Sequence, residues 1–208
     1  PARIAAAIHD QLGDVPGAVL VEAVAYALDI VEIRVEVLAR VEGALIAPPE
    51  RGSGSILLKT RSHPQRRRFT LAHELGHYLS PHHVPTAETG FWCDQSDMLS
   101  RTSSDQGQHR RQENEANTFA AELLAPPSKT RPFCRSAPDL EKVVAMSDLL
   151  DISREAAARR YVEHHPETLA VAISKGAQLS YCSPAATFPP MAVTRGDRLP
   201  IFEVARWA

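Results

Sequence analysis

The chain has 208 residues, 44% of them hydrophobic, and its 23 basic and 25 acidic side chains give a net charge of −2. This size and composition predict one substantial core, and the near-zero charge argues against a protein that binds nucleic acid or strongly acidic partners through overall charge. The three cysteines are odd in number, widely spaced and without a C-x-x-C pair, so they indicate neither a disulfide framework nor a cysteine zinc site and favour a reducing, cytoplasmic location. They are Cys93, Cys134 and Cys182.

The chain shows no apolar run of membrane-spanning length and no signal-peptide pattern at its start. The sequence therefore predicts a protein that does not enter a membrane.

The first third of the chain predicts two short helices and a small sheet. Alanine-rich segments suggest helices at Ala2–Leu12 and Pro16–Leu28. From Val31 to Val37 valine and isoleucine alternate with charged residues, which predicts a half-buried strand. Two further apolar runs, Gly43–Ala47 and Ser55–Lys59, bring the predicted sheet to three strands. An exposed edge at Ser55–Lys59 would hold an extended substrate as an added strand.

The segment Phe69–Ser80 reads F-T-L-A-H-E-L-G-H-Y-L-S and contains an H-E-x-x-H pattern. On a helix, residues four apart differ by about 40° in direction and about 6 Å in height, so His73 and His77 can converge on one ion. Glu74 then lies beside the ion as a candidate general base. The pattern predicts a zinc site, since two ordinary core histidines would leave a glutamate on an apolar helix unexplained.

A catalytic zinc usually has three protein ligands, so a third must come from elsewhere. The next predicted helix, about Gln108–Ala125, has a buried side formed by Ala116, Phe119, Ala120, Leu123 and Leu124. Glu113 projects within about 80° of the centre of that side and is the predicted third ligand. Asn117 shares its face and is placed to bond a ligand histidine. Glu115 and Glu122 point away and are expected to be solvated.

The long polar loop from Pro81 to Gly107 supplies the alternatives. If Glu113 is not the third ligand, the candidates are His82, His83, Asp94 and Asp97 of this loop and His109 just beyond it. The candidates for stabilising the oxyanion are His82, His83, His109 and Tyr78, of which Tyr78 is the weakest because it projects about 140° from His73.

Two segments carry a resemblance to a known family. R-R-R-F-T-L-A-H-E-L-G-H-Y-L-S-P at Arg66–Pro81 and E-N-E-A-N-T-F-A-A-E-L-L-A-P at Glu113–Pro126 resemble the ImmA/IrrE metallopeptidases. The strands containing Gly43–Ile46 and Ser55–Leu58 also resemble that family, and the likeness extends over about Ala2–Glu163. The family's usual L-L-M-P ending is L-L-A-P here, a departure expected to affect packing rather than zinc chemistry.

The resemblance implies a compact zincin with zinc held by His73, His77 and Glu113. It also implies a regulatory role in stress response or mobile-element control, in which a helix-turn-helix transcriptional repressor is the substrate or partner. The function expected is therefore a zinc-dependent endopeptidase that cleaves a cytoplasmic regulatory protein with zinc-activated water, Glu74 being catalytic. The alternative is a non-hydrolytic zinc-containing regulator that sequesters a repressor or toxin.

The last third of the chain predicts a helix pair, Asp139–Leu150 and Ser153–His164, followed by a hairpin of Leu169–Ile173 and Gln178–Cys182. A DNA-binding helix-turn-helix is the less favoured interpretation of that pair, since the chain has no basic bias. The fold class expected is α+β. Residues 1–165 would form the zincin-like domain and 166–208 a small β-containing, proline-rich segment, the start of a larger regulatory region.

Overall fold

The computed structural model describes residues 1–39, 41–48, 50–84, 90–93 and 107–199. The α+β class is confirmed. The helices are α1 (Ala2–Leu12), α2 (Val21–Ala27), α3 (Pro64–Leu79), α4 (Gly107–Leu124), α5 (Pro127–Thr130), α6 (Leu140–Leu150) and α7 (Arg154–His164), with a 3-10 turn at Arg131–Cys134. The strands are β1 (Ile30–Glu36), β2 (Gly43–Ile46), β3 (Gly54–Lys59), β4 (Gly90–Cys93), β5 (Ala170–Lys175) and β6 (Gln178–Pro184).

The three predicted strands are present, and β4 adds a fourth to their sheet. The order is β1-β3-β2-β4, with β3 parallel to β1 and antiparallel to β2, and β4 antiparallel to β2. Leu45 at the centre of β2 pairs with Ile56 on one side and Phe91 on the other. The expectation that Ser55–Lys59 is a free edge is wrong, because β3 is hydrogen-bonded on both sides. Among the described strands the edges are β1 and β4.

The valines of β1 do not face the core as their alternation predicted. Val31 is 67% exposed and Val35 52% exposed, whereas Ile30 is buried. The reason lies in the packing of the helices: α3 packs across β2 and β3, while β1 contacts the short helix α2. Alternation correctly predicted the strand, but burial depended on which strands α3 covers.

Helices α3 and α4 pack directly against each other, and α1 packs on α4. The apolar side of α4 is the one predicted, with Ala116, Phe119, Ala120, Leu123 and Leu124 all buried. Gly76 lets the two helices approach closely, since a Cβ there would lie 3.0 Å from Cδ1 of Phe119 and 3.2 Å from Cα of Ala116. Its role is therefore to bring the α4 backbone next to the H-E-x-x-H turns of α3.

The chain divides into two compact units, residues 1–126 with 149–152, and residues 127–148 with 153–208. The first holds α1–α4 and the four-stranded sheet. In the second, α7 packs on the antiparallel β5–β6 hairpin, which confirms the predicted helix and hairpin segments. The side chain of Ser153 caps α7 by accepting from the backbone N–H of Ala156 at 3.1 Å. The domain boundary at residues 165 and 166 stays a prediction.

Two arginines of the predicted helix pair have acidic neighbours. Arg154 lies 3.4 Å from Asp148, and the buried Arg160 lies 2.9 Å from Glu163. Within the described residues, no helix is both long enough and apolar enough to cross a membrane.

The close approach of α3 and α4 predicts the effect of Gly76→Ala. Alanine favours a helix by about 1 kcal/mol over glycine. Its methyl group would nevertheless press on the Ala116 backbone, so a net loss of stability of about 1–2 kcal/mol is expected. Urea unfolding measures it. Gly52→Ala is the control, because nothing lies within 4 Å of a Cβ at that loop position. Equal midpoints for wild type and Gly76→Ala would contradict this packing.

Candidate metal centre

His73 and His77 lie on successive turns of α3, and both side chains are fully buried. The opposite side of this helix carries Leu71, Ala72 and Leu75, which are also buried. The side that carries the histidines faces α4. The two Nε2 atoms are 3.1 Å apart. The predicted convergence of the two imidazoles is therefore present in the structure.

Glu113 completes a triangle of donor atoms from the neighbouring helix α4. Its Oε2 lies 3.1 Å from Nε2 of His73 and its Oε1 lies 3.2 Å from Nε2 of His77. Ligands at about 2.0–2.1 Å from a tetrahedral zinc are about 3.3 Å from one another, which matches these separations. The three side chains thus have donor chemistry and spacing that are compatible with a bound metal ion.

The surroundings of the Glu113 carboxylate indicate whether a cation fits at this site. It is only 2% exposed, and within the described residues neither oxygen has a hydrogen bond of acceptable geometry. An ionised carboxylate without such partners is costly to bury. A divalent cation between the three donors would satisfy both oxygens and the two imidazole lone pairs, so the residues fit the metal that the sequence predicts.

The protonation states favour a metal as well. Burial lowers the pKa of His77 to about 4, with Glu113 opposing part of that change. Burial would raise the pKa of Glu113, but the neighbouring His73 and His77 more than compensate and hold it below its ordinary value. At neutral pH the site therefore presents a neutral imidazole at His77 and a carboxylate at Glu113, which are the forms that bind metal ions.

Asn117 fixes the orientation of His73. Its Oδ1 is 3.1 Å from Nδ1 of His73. An amide oxygen only accepts, so Nδ1 carries the proton and Nε2 keeps its lone pair for the metal. The contact predicted from the shared helix face is present.

Glu74 is fully buried beside the two histidines and directly against the backbone of β2. A Cβ on Gly43 would lie 2.8 Å from Oε1 of Glu74 and would collide with Cγ2 of Thr70. The absence of a side chain at Gly43 therefore leaves room for the Glu74 carboxylate beside β2.

Comparison with known proteins places this site in a family. The model of the IrrE N-terminal-like domain, from the M78 peptidases, matches residues 41–161, more than half of the chain. The chain belongs to the M78 peptidase family. The match spans α3 and α4 and confirms the resemblance to the ImmA/IrrE group. A search of curated protein sequences found no match.

Family membership supports a metallopeptidase with a protein substrate. In this M78 peptidase the three buried donor side chains are compatible with a metal ion.

The M78 site includes a second layer that sequence patterns only partly revealed. Phe91 of β4 stacks on His77, with ring centroids 4.6 Å apart. Nδ1 of His77 lies 3.0 Å from Nδ1 of the buried His83. His83 in turn contacts Glu115, whose Oε2 is 3.0 Å from its Nε2 and 2.6 Å from Nε2 of His82. The expectation that Glu115 is simply solvated is wrong.

Glu115 would be exposed on an isolated α4, and its contacts come from another segment of the chain. The turn after α3 returns over α4 and covers a position that an isolated helix would expose. Nothing in the local spacing around Glu115 signals this contact. The sequence does mark His83, a histidine shortly after the H-E-x-x-H pattern, as an alternative metal ligand or oxyanion-stabilising residue.

The other predicted oxyanion-stabilising residues and metal ligands differ in where they lie relative to the three donor side chains. His109, at the start of α4, is half-exposed, and its Nδ1 lies 3.6 Å from Oε1 of Glu113, so it stays an oxyanion candidate. Tyr78 donates its hydroxyl proton to the carbonyl of Arg51 at 2.8 Å, which removes it from that role. Asp94 and Asp97 lie outside the described residues.

The contact between Gly43 and Glu74 predicts that a substitution at Gly43 reduces cleavage without reducing metal binding. In Gly43→Ala the new methyl group would displace Thr70 and the Glu74 carboxylate, while the three metal donors are contributed by α3 and α4. Peptide cleavage should fall about 10-fold or more, with metal content unchanged, given the sensitivity of catalysis to small displacements. Cleavage rates and zinc analysis on the same samples measure both. Wild-type activity in Gly43→Ala would contradict this placement of Glu74.

Proposed function

We propose that the chain is a zinc-dependent endopeptidase that cleaves a regulatory protein in the cytoplasm. The observation that carries the proposal is the buried triangle of His73, His77 and Glu113, with Glu74 on the turn between the two histidines. Membership of a peptidase family supports it.

His73, His77 and Glu113 would hold the ion through two imidazole nitrogens and one carboxylate. Three protein ligands leave a tetrahedral ion one open position, which is the arrangement of catalytic rather than structural zinc sites. When bound, zinc supplies a Lewis acid that polarises a carbonyl and makes a bound water acidic near neutral pH.

Glu74 carries the proton through the reaction. Its carboxylate accepts a proton from the attacking water, whose oxygen forms the new bond to the scissile carbonyl carbon. When the C–N bond breaks, Glu74 returns the proton to the leaving amine, so that water is divided between the two products. The dry setting of the Glu74 carboxylate, closed off by Gly43 and the sheet, strengthens its interaction with the proton.

Strand β4 is the edge we propose for substrate binding, in place of β3. Within the described residues β4 pairs on one side with β2, and its Phe91 stacks on the ligand His77. An extended segment added beside β4 would run next to the metal ligands and gain main-chain hydrogen bonds. We further propose a helix-turn-helix repressor as the substrate, which rests on the family resemblance, and hence a role in stress response and transcription regulation.

Glu74→Gln tests the catalytic assignment. The amide cannot accept the proton, so cleavage should fall by about 10²–10⁴-fold while zinc stays near one per chain. The assay incubates the protein with a proteome-derived peptide library and with purified helix-turn-helix repressors, and mass spectrometry identifies new termini. Cleavage by Glu74→Gln at the wild-type rate would refute the role of Glu74.

Glu113→Ala tests the third ligand. Loss of one of three donors should weaken zinc binding by more than about 100-fold and abolish cleavage. Glu122→Gln is the matched control, since it changes a partly exposed carboxylate on the same helix and should keep both properties. Tight zinc binding by Glu113→Ala would instead direct attention to His82, His83, Asp94, Asp97 or His109.

The same variants separate hydrolysis from sequestration. A zinc-containing regulator that only binds its repressor or toxin would keep its cellular effect in Glu74→Gln. An endopeptidase would lose that effect while still binding the partner.

A further inference from the structure

Two side chains outside the proposed ligand set form a buried line of contacts that ends on a ligand. Nδ1 of His77 lies 3.0 Å from Nδ1 of His83, and Nε2 of His83 lies 3.0 Å from Oε2 of Glu115. The side chains of His77 and His83 are fully buried, and that of Glu115 is 26% exposed. None of the sequence patterns predicted that these three groups would be joined.

The hydrogen bonds from His77 through His83 to Glu115 all donate in the same direction. A neutral imidazole carries one N–H, and His77 needs the lone pair of Nε2 for the metal, so its proton is on Nδ1. That proton is donated to Nδ1 of His83, which must therefore be an acceptor. The proton of His83 is then on Nε2, from which it is donated to the Glu115 carboxylate. Each nitrogen of the two rings then has one role, as donor, acceptor or metal ligand, and no other assignment keeps His77 as a neutral ligand.

A second metal ion at His82, His83 and Glu115 does not fit the distances between their donor atoms. Their donor atoms lie within 4.8 Å of one another. However, Nε2 of His82 is only 2.6 Å from Oε2 of Glu115, which is a hydrogen-bond distance and well below the roughly 3.3 Å between zinc ligands. Nε2 of His83 is also occupied by the proton that Glu115 accepts.

The backbone supports this arrangement at the end of α3. The guanidinium group of Arg51 donates to the carbonyls of His77 at 2.7 Å and Tyr78 at 3.1 Å, and to those of Ser80 and His83. One side chain from the β2–β3 connection thus fixes the turn that carries His83 relative to the turn that carries His77. Such fixation is expected where the orientation of an imidazole matters.

We propose that His83 and Glu115 are positioning residues that lock His77 in its Nδ1–H tautomer and thereby strengthen zinc binding at Nε2. The inference rests on the proposed zinc site. Hydrogen bonding of a ligand histidine to an acceptor that is itself bonded to a carboxylate raises the basicity of the ligand nitrogen and fixes its ring. Glu115 acts through His83, and neither residue touches the substrate in this assignment.

The test measures zinc affinity by competition with a chromophoric chelator. His83→Leu removes the acceptor and should weaken Zn²⁺ binding by about 10–100-fold, and Glu115→Ala by about 10-fold. His83→Gln, whose amide oxygen can accept from His77, should recover most of the loss. His82→Ala is the control, because His82 shares the Glu115 oxygen but does not contact His77. It should bind Zn²⁺ within about threefold of wild type, as expected for an exposed pair.

A spectroscopic readout separates positioning from a general effect on folding. Long-range ¹H–¹⁵N NMR of the zinc-loaded wild type should show His83 with a protonated Nε2 and an unprotonated Nδ1. The opposite tautomer, or a doubly protonated ring, would overturn the proposal, as would unchanged affinity in both His83→Leu and Glu115→Ala. Equal losses in His83→Leu and His83→Gln would also overturn it, by indicating a packing role.

These outcomes are distinct from failure of the proposed function. A wild type that binds one Zn²⁺ and cleaves nothing would refute the peptidase and leave the positioning roles intact. A wild type that binds no zinc would refute both. Two tightly bound Zn²⁺ ions, one of them lost in His82→Ala, would replace the proposal with a second metal site.

Discussion

The burial of one carboxylate between two imidazoles governs the arrangement around it. Glu113 is almost inaccessible, lies 3.1 and 3.2 Å from the Nε2 atoms of His73 and His77, and makes no hydrogen bond of acceptable geometry within the described residues. Apolar packing alone does not compensate a buried charge. Such a group is sustained by a cation or by very close complementary partners, which is why the surrounding helices are constrained so tightly.

That constraint explains why α3 and α4 meet at a glycine. The three donor side chains come from two helices, so the separation of the helices sets the size of the donor triangle, and Gly76 allows the α4 backbone to lie against α3. Around the triangle, Asn117 orients one histidine, while Phe91 and His83 flank the other. The first layer supplies the charge and the lone pairs, and the second layer restricts the rings to the orientations in which those lone pairs converge.

The sheet contributes in two ways. On the side of α3, the absence of a side chain at Gly43 makes space for Glu74, so the strand serves as a wall for the carboxylate. At the β4 edge, Phe91 links the sheet to His77. Strand order decides which of these roles each strand has. The central position of β3 removes it as a docking edge, although its sequence is that of an ordinary short strand.

Local sequence determined the chemical components of the site and where they lie along the chain. The four-residue spacing of His73 and His77 fixes their directions on any helix, and the apolar pattern of the following helix placed Glu113 and Asn117 on its inward side. Those are short-range consequences of helical periodicity. Tertiary structure decided the rest. The burial of the β1 valines depended on which strands α3 covers, and the pairing of Glu115 with His83 depended on how the turn after α3 folds back. Both are contacts between segments distant in sequence, which the periodicity of a single segment does not encode.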